Sequence, residues 1–142
     1  MEGFKRAQYM ISLFCILLLS LTSCEDTISI AFSSNELLSS FENNPDYGIF
    51  LKKSELYVTG KVAWISYPKD GFKLNECAIY LETDNSNAEK RTGDFISCHM
   101  LERVERMYTG KTLIIHGKYD SYKVINNEKY IILKKCKIVI TQ

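Results

Sequence analysis

The side chains in this sequence that could do covalent chemistry are mostly cysteines: Cys15, Cys24, Cys77, Cys98 and Cys136. None stands in a CxxC pair and no HxxxH accompanies them, so their spacing fits no zinc pattern. The two histidines, His99 and His116, fall on different predicted strands without a carboxylate–cysteine constellation nearby. Neither is expected to be catalytic or to hold a metal. The chain has no paired-carboxylate motif, nucleophile elbow or phosphate loop. It is therefore expected to bind rather than to catalyse, with no cofactor and no metal.

Cys24 differs from the others in its setting. Lys5 and Arg6 open the chain, and the apolar run Ile11-Ser12-Leu13-Phe14-Cys15-Ile16-Leu17-Leu18-Leu19 follows. That is the layout of a secretory signal, and the run is short for a bilayer span. Directly after it, Leu21-Thr22-Ser23-Cys24 resembles the lipobox of bacterial lipoproteins. The resemblance implies removal of residues 1–23 and acylation of Cys24, with palmitate-type chains holding the mature protein to a membrane. Residues 24–33 then read as a lipid-anchored tether, and 34–142 as the folded domain. Glu25-Asp26 resemble the acidic surface-export signal of Bacteroides-type lipoproteins. The expected location is the bacterial cell envelope, as an outer-membrane lipoprotein on the periplasmic or surface side.

Charge narrows the partners. The chain has 18 Lys and Arg against 17 Asp and Glu. Removing Lys5, Arg6 and Glu2 with the leader leaves sixteen of each sign. A neutral domain lacks the electrostatic footprint of a backbone-driven nucleic-acid binder. A protein or glycan partner is the expectation, with nucleic acid disfavoured. At 142 residues there is room for one core and no second domain.

The elements that must position any site follow from the apolar period. Leu37, Leu38 and Phe41 share a helical face after Ser33 or Ser34, either of which can cap, and Asn43-Asn44-Pro45 stops the helix. Tyr47, Phe50 and Leu51 could continue that stripe. From Glu55 the period becomes two. Leu56, Val58, Val62 and Trp64 alternate against Tyr57, Thr59, Lys61 and Ala63, and Gly60 marks an expected bulge or coil. Pro68-Lys69-Asp70-Gly71 signals a turn. The second strand is expected over 76–82, with Cys77, Ile79 and Leu81 inward. A polar loop is expected over 83–93. The third strand, 94–100, points Ile96, Cys98 and Met100 inward and Phe95, Ser97 and His99 outward. Leu101, Val104 and Tyr108 predict a short helix, ended by Thr109-Gly110-Lys111. The fourth strand covers 112–120, a loop with the turn pair Asn126-Asn127 covers 121–129, and the last strand covers 130–141. A register shift at Lys134-Lys135 would keep Cys136, Ile138 and Ile140 on the face of Ile131 and Leu133.

Five strands with one helix between the third and fourth is the element order of the OB-fold, a Greek-key barrel. The fold class is mainly β (α+β), with a leading N-terminal helix. Asn35-Glu36-Leu37-Leu38, Leu56-Tyr57-Val58-Thr59-Gly60-Lys61-Val62, Ile96-Ser97-Cys98, the run from Tyr108 to Lys118 and the run from Ile132 to Ile138 resemble the OB-fold lipoproteins called the tRNA_anti-like family. The resemblance spans residues 35–140. It brings no ligand or catalytic residue, because a shared shape does not carry function. Around Asp46–Lys53 the sequence departs from the family, which has an Ala-rich helix there.

OB-folds bind ligands across the outer face of strands 2 and 3, between the loops joining strands 1–2 and 4–5. Mapped onto this sequence, that face shows Tyr80, Glu82, Phe95 and His99, flanked by Tyr67, Phe72, Tyr122 and Lys123. Its aromatics could stack on sugar rings or bases; alternatively the N-terminal helix covers the face and buries Tyr80 or Phe95. Cys98 and Cys136 both point inward on strands that neighbour in an OB barrel. Either a disulfide in an oxidising compartment or a pair of buried free thiols satisfies that placement.

Overall fold

Alternating apolar residues close into a barrel, seen in a computed structural model that describes residues 27–68 and 77–141. The elements run β1 (Ser29–Ser33), α1 (Ser34–Asn43), a 3₁₀ turn (Pro45–Tyr47), α2 (Gly48–Leu51), β2 (Glu55–Ser66), β3 (Cys77–Asn87), β4 (Thr92–Met100), a 3₁₀ turn (Arg106–Tyr108), β5 (Thr112–Ile125) and β6 (Glu128–Thr141). The sheet order is β1-β2-β3-β4-β6-β5, and β2–β5 pairing closes it. Strands β2 to β6 thus form a closed five-stranded barrel in the OB order, in which β4 and β6 pair in parallel.

The length of β2 allows the closure. Its first half, Glu55 to Lys61, pairs with β5, while Val62 to Ser66 pairs with β3. The predicted bulge exists but sits three residues beyond Gly60. Val62 faces Leu81 and Trp64 faces Tyr80, so Ala63 is the extra residue. Gly60 serves close approach instead, since a Cβ there would meet Leu81 Cβ at 3.0 Å and Ser34 Oγ at 3.2 Å. The shift at Lys134-Lys135 is present as expected: Cys98 pairs with Leu133 but Met100 pairs with Cys136, and Lys135 takes φ +52°. A bulge there returns Cys136 to the core face.

Ser29–Ser33, expected in the tether, instead forms β1 parallel to β2, with Ser29 opposite Glu55 and Ser33 opposite Thr59. That stretch of β2 is the one β3 does not reach, and β1 covers what would be an open edge. Ile30 and Phe32 pack against the core, which a five-residue strand too short to show a clear period did not announce.

α1 begins at a capping box: Ser33 Oγ accepts from the Glu36 N–H at 3.1 Å, and the Glu36 carboxylate accepts from the Ser33 N–H at 2.8 Å. Leu37, Leu38 and Phe41 are buried at one end of the barrel. Met100 at the end of β4, and Val104 and Tyr108 from the segment between β4 and β5, close onto the same core. The helix predicted there contracts to the turn Arg106–Tyr108. Tyr67 O–H donates to Val104 O at 2.6 Å, and Cys77 Sγ accepts from the Val104 N–H at 3.3 Å, so this connection is held by side chains rather than by helical bonds.

Both predicted loops are shorter than expected because strand pairing outlasts the apolar pattern. β3 continues to Asn87 and β4 starts at Thr92. β5 and β6 run to Ile125 and from Glu128, so Asn126 and Asn127 alone make the turn, with φ +52° and +63°. Two left-handed residues are what a type I′ hairpin needs, and Asn tolerates them. Cys77, Cys98 and Cys136 are free and buried. Cys98 and Cys136 are brought together as thiols; their mutual hydrogen bond, followed by burial, pushes the Cys98 thiol well above its ordinary range. Gly117 makes room for them, as a Cβ there would lie 2.6 Å from Cys136 Sγ.

Candidate functional site: an aromatic cleft on the outer barrel face

The bulge at Ala63 builds the site. Period-two alternation places Trp64 inward with Val62; one extra residue turns it to the outer face. There it lies directly across from Tyr80, with ring centroids 4.2 Å apart and planes 13° apart. Phe95, fully buried, sits beneath the pair: its ring meets Trp64 edge-on at 4.5 Å and Tyr80 edge-on at 6.5 Å. The outer face therefore has its own small aromatic cluster, separate from the barrel core. Stacked and edge-to-face pairs of this kind fix ring orientation. The exposed Arg91 guanidinium lies over Trp64 at 5.5 Å.

The extended β5–β6 hairpin supplies the opposite wall. Trp64, Tyr80, Tyr130, Ile125 and Ile132 line a cleft of about 340 Å³ with Ser97, His99 and Lys123 as its polar groups. Apolar rings with a few convergent polar side chains, at this volume, are the makeup of a small-ligand site. The wall is pinned from below. Buried Asp94 accepts from the Lys129 N–H at 2.7 Å. Glu128 accepts from the Gly93 N–H at 2.9 Å and from Tyr130 O–H at 2.8 Å. The Gly93 N–H, then the Tyr130 hydroxyl, hold the Glu128 carboxyl below its usual range. Burial, then Glu128, push the Tyr130 hydroxyl up to about 12, so it stays a neutral donor.

The depressed Glu128 carboxyl fixes a pH dependence. Its contribution to stability is present above the unfolded-state value and is lost as pH falls through the lower folded-state one. Glu128→Gln is expected to lower the urea midpoint at neutral pH and to leave it equal to wild type in acid. A midpoint difference that persists unchanged into acid would contradict the bonding described for Glu128.

The expected site residues separate on inspection. Tyr80, His99 and Lys123 line the cleft. Glu82 is half-buried beside it, paired with Phe95, and its carbonyl accepts from Ser34 O–H at 2.6 Å. Phe95, expected outward and available, is outward but covered by Trp64 and Tyr80 rather than by α1. Ser97 is likewise buried at the cleft floor. Tyr67 stands apart, between the Arg103 and Arg106 guanidinium groups at 5.1 and 5.4 Å, beside a second cleft of about 390 Å³ that shares only His99 with the first. Tyr122 leaves the face altogether. A register shift between Tyr119 and Ser121 turns it under α1, where its ring lies 5.0 Å from Phe41. Phe72 and Cys24 lie outside the described residues.

Sequence reasoning missed Trp64, Tyr130 and Ile125. Trp64 was legible only with the bulge placed, and the hairpin residues only with β5 and β6 extended past Asp120. It also missed the setting of His116, whose Nε2 lies 2.6 Å from Glu55 Oε2, with Lys118 Nζ 3.3 Å from the other oxygen. Glu55 pairs with Lys118 and Tyr57 with His116, so His116 and Glu55 are diagonal cross-strand neighbours. The approach is close but off-axis, and buried Oε2 gains no directed hydrogen bond. Among the described residues, no three His, Cys, Asp or Glu side chains come together as a metal site. Compared with known proteins, the chain matches no family model, no curated protein and no solved structure.

Proposed function

We propose that this chain is a non-catalytic, lipid-anchored binding protein of the bacterial cell envelope, akin to the tRNA_anti-like OB-fold lipoproteins. In this reading residues 1–23 are removed, Cys24 carries the lipid, and the barrel presents the cleft beside Trp64 and Tyr80 to a ring-bearing glycan. The observation that carries the binding half is the stacked Trp64–Tyr80 pair facing a cleft with Ser97, His99 and Lys123 within it. Sugar rings present apolar faces to aromatic rings and hydroxyls to polar side chains, and the cleft offers both. The neutral mature charge supports a glycan over an oligonucleotide.

A second reading, docking into an envelope complex, has one observation in its favour: Val124 and Ile125 are more than half exposed at the hairpin tip, beside the same cleft. The anchor half is tested by mass spectrometry of the mature N-terminus and by fractionation. The expected result is a diacylated Cys24 and loss of the protein from the membrane fraction in Cys24→Ala. An unmodified N-terminus, or membrane partition unchanged by the substitution, would contradict it.

A further inference from the structure

The pairing of β1 shortens the tether. Residues 24–33 read as linker in the sequence, yet the Glu55 N–H already donates to Ile28 O at 2.9 Å, so the barrel begins at Ile28. Three residues, Glu25, Asp26 and Thr27, lie between Cys24 and Ile28, and the four steps reach at most about 14 Å at roughly 3.3–3.6 Å each. A lipid on Cys24 therefore keeps this end of the barrel at the bilayer surface.

That end is apolar. Ile28, Ile49 and Phe50 are 63, 66 and 70% exposed, the three most exposed large apolar side chains among the described residues. The backbone holds Ile28 beside the end of α2: its carbonyl accepts from the Glu55 N–H, and the preceding residue, Ser54, donates its N–H to Leu51 O at 3.0 Å and its O–H to Phe50 O at 3.5 Å. By strand alternation Ile28 shares a face with Ile30 and Phe32. The Phe32 ring meets Tyr47 at 6.4 Å, and Tyr47 meets Phe50 at 6.2 Å. Lys52 and Lys53, both exposed, follow directly on α2. Three protruding apolar tips beside a pair of lysines make an interfacial membrane contact: the tips enter the headgroup–acyl boundary and the lysines remain at the phosphates. Among the described residues, Asp46 and Glu55 are acidic groups at this end, Glu55 being bonded through its N–H to Ile28 O, so the lysines do not give a strong field. Apolar insertion carries the contact.

We propose that the Ile28–Ile49–Phe50 tip is a membrane-contact face, seated in the bilayer by the short lipidated tether, which turns the remainder of the barrel outward in one orientation. This rests on acylation of Cys24. The test uses the full lipidated chain carrying Trp64→Phe, reconstituted in vesicles of phosphatidylethanolamine and phosphatidylglycerol with brominated acyl chains. A single indole is placed by Phe50→Trp, or in a separate protein by Met107→Trp. The turn after Met107 is bonded to Val62, about 20 Å along β2 from Glu55 at roughly 3.3 Å per residue.

The expected result is loss of more than half the emission for Phe50→Trp and little loss for Met107→Trp. Adding Ile28→Ser and Ile49→Ser should restore most of that emission while the protein still floats with the vesicles. Flotation without quenching at either position overturns the contact face and leaves the anchor standing. Equal quenching at both overturns the single orientation. Failure to float, with an unacylated N-terminus by mass, overturns the anchor and this inference with it.

Discussion

Phe41→Ala is expected to cost about 3–5 kcal/mol of folding stability, the range for removing a fully buried aromatic ring from a core that cannot collapse around the space. Phe41 is 0% exposed and joins three elements. Its ring stacks on Tyr119 at 5.4 Å, tilts against Tyr122 at 5.0 Å and meets Tyr47 edge-on at 5.7 Å. Tyr119 also fills the space over Gly48, leaving no room for a side chain there, so the rings cannot shift toward α2 to fill a cavity. Urea unfolding monitored by far-UV circular dichroism measures the loss. A cost below about 1 kcal/mol would mean that α1 is an appendage to the barrel rather than its end wall. Phe41→Leu, which keeps most of the volume, should recover much of the loss.

Trp64→Ala is expected to act twice. It uncovers Phe95 and removes the stack on Tyr80, a stability cost of about 2 kcal/mol for a half-exposed ring whose neighbours stay in place. It also removes part of the cleft wall. Ring stacking contributes roughly 1–3 kcal/mol per contact, so ligand affinity should fall about 10- to 100-fold. Trp64→Phe separates the two effects from general damage: it retains an aromatic over Phe95 and should keep most of both. Calorimetric titration and urea unfolding on the same preparations read them. Affinity unchanged in Trp64→Ala would place the binding surface elsewhere on the barrel.

Most of the barrel is legible in the sequence, because a closed small sheet needs period-two alternation on every strand. Leu56, Val58, Ile79, Leu81, Ile96, Leu113, Ile115, Ile131 and Leu133 all show it and are all buried. Even the bulge at Lys134-Lys135 was readable, since without it Cys136 would face water. What failed to show was local. Alternation cannot say which residue of Gly60–Trp64 is the extra one, and the answer decides which way the single large indole points. The hairpin arms beyond Asp120 carry polar residues on both faces, so they read as loop although Asn126-Asn127 turn them tightly. Leu101–Tyr108 has helical spacing but is held by the Tyr67 hydroxyl and the Cys77 thiol, partners far away in sequence that no window could weigh. β1 has only five residues and depends on the exposed edge of β2. The candidate face was therefore half legible. Tyr80, His99 and Lys123 were placed by the fold's general plan, whereas Trp64 and Tyr130, which shape the cleft, depended on a bulge and on hairpin length.

The chain contains one tryptophan, and it stands in the cleft wall. Its emission is thus a direct probe of the central claim that this face holds a ring-bearing glycan. The measurement is titration of the full-length protein in detergent with peptidoglycan fragments and envelope oligosaccharides, followed by Trp64 fluorescence and by calorimetry in parallel. The account predicts a saccharide that gives saturable binding heat and a saturable shift in Trp64 emission at the same concentrations, both lost in Tyr80→Ala. A saccharide that binds saturably by calorimetry with Trp64 emission unchanged, or a panel in which none binds, would contradict it.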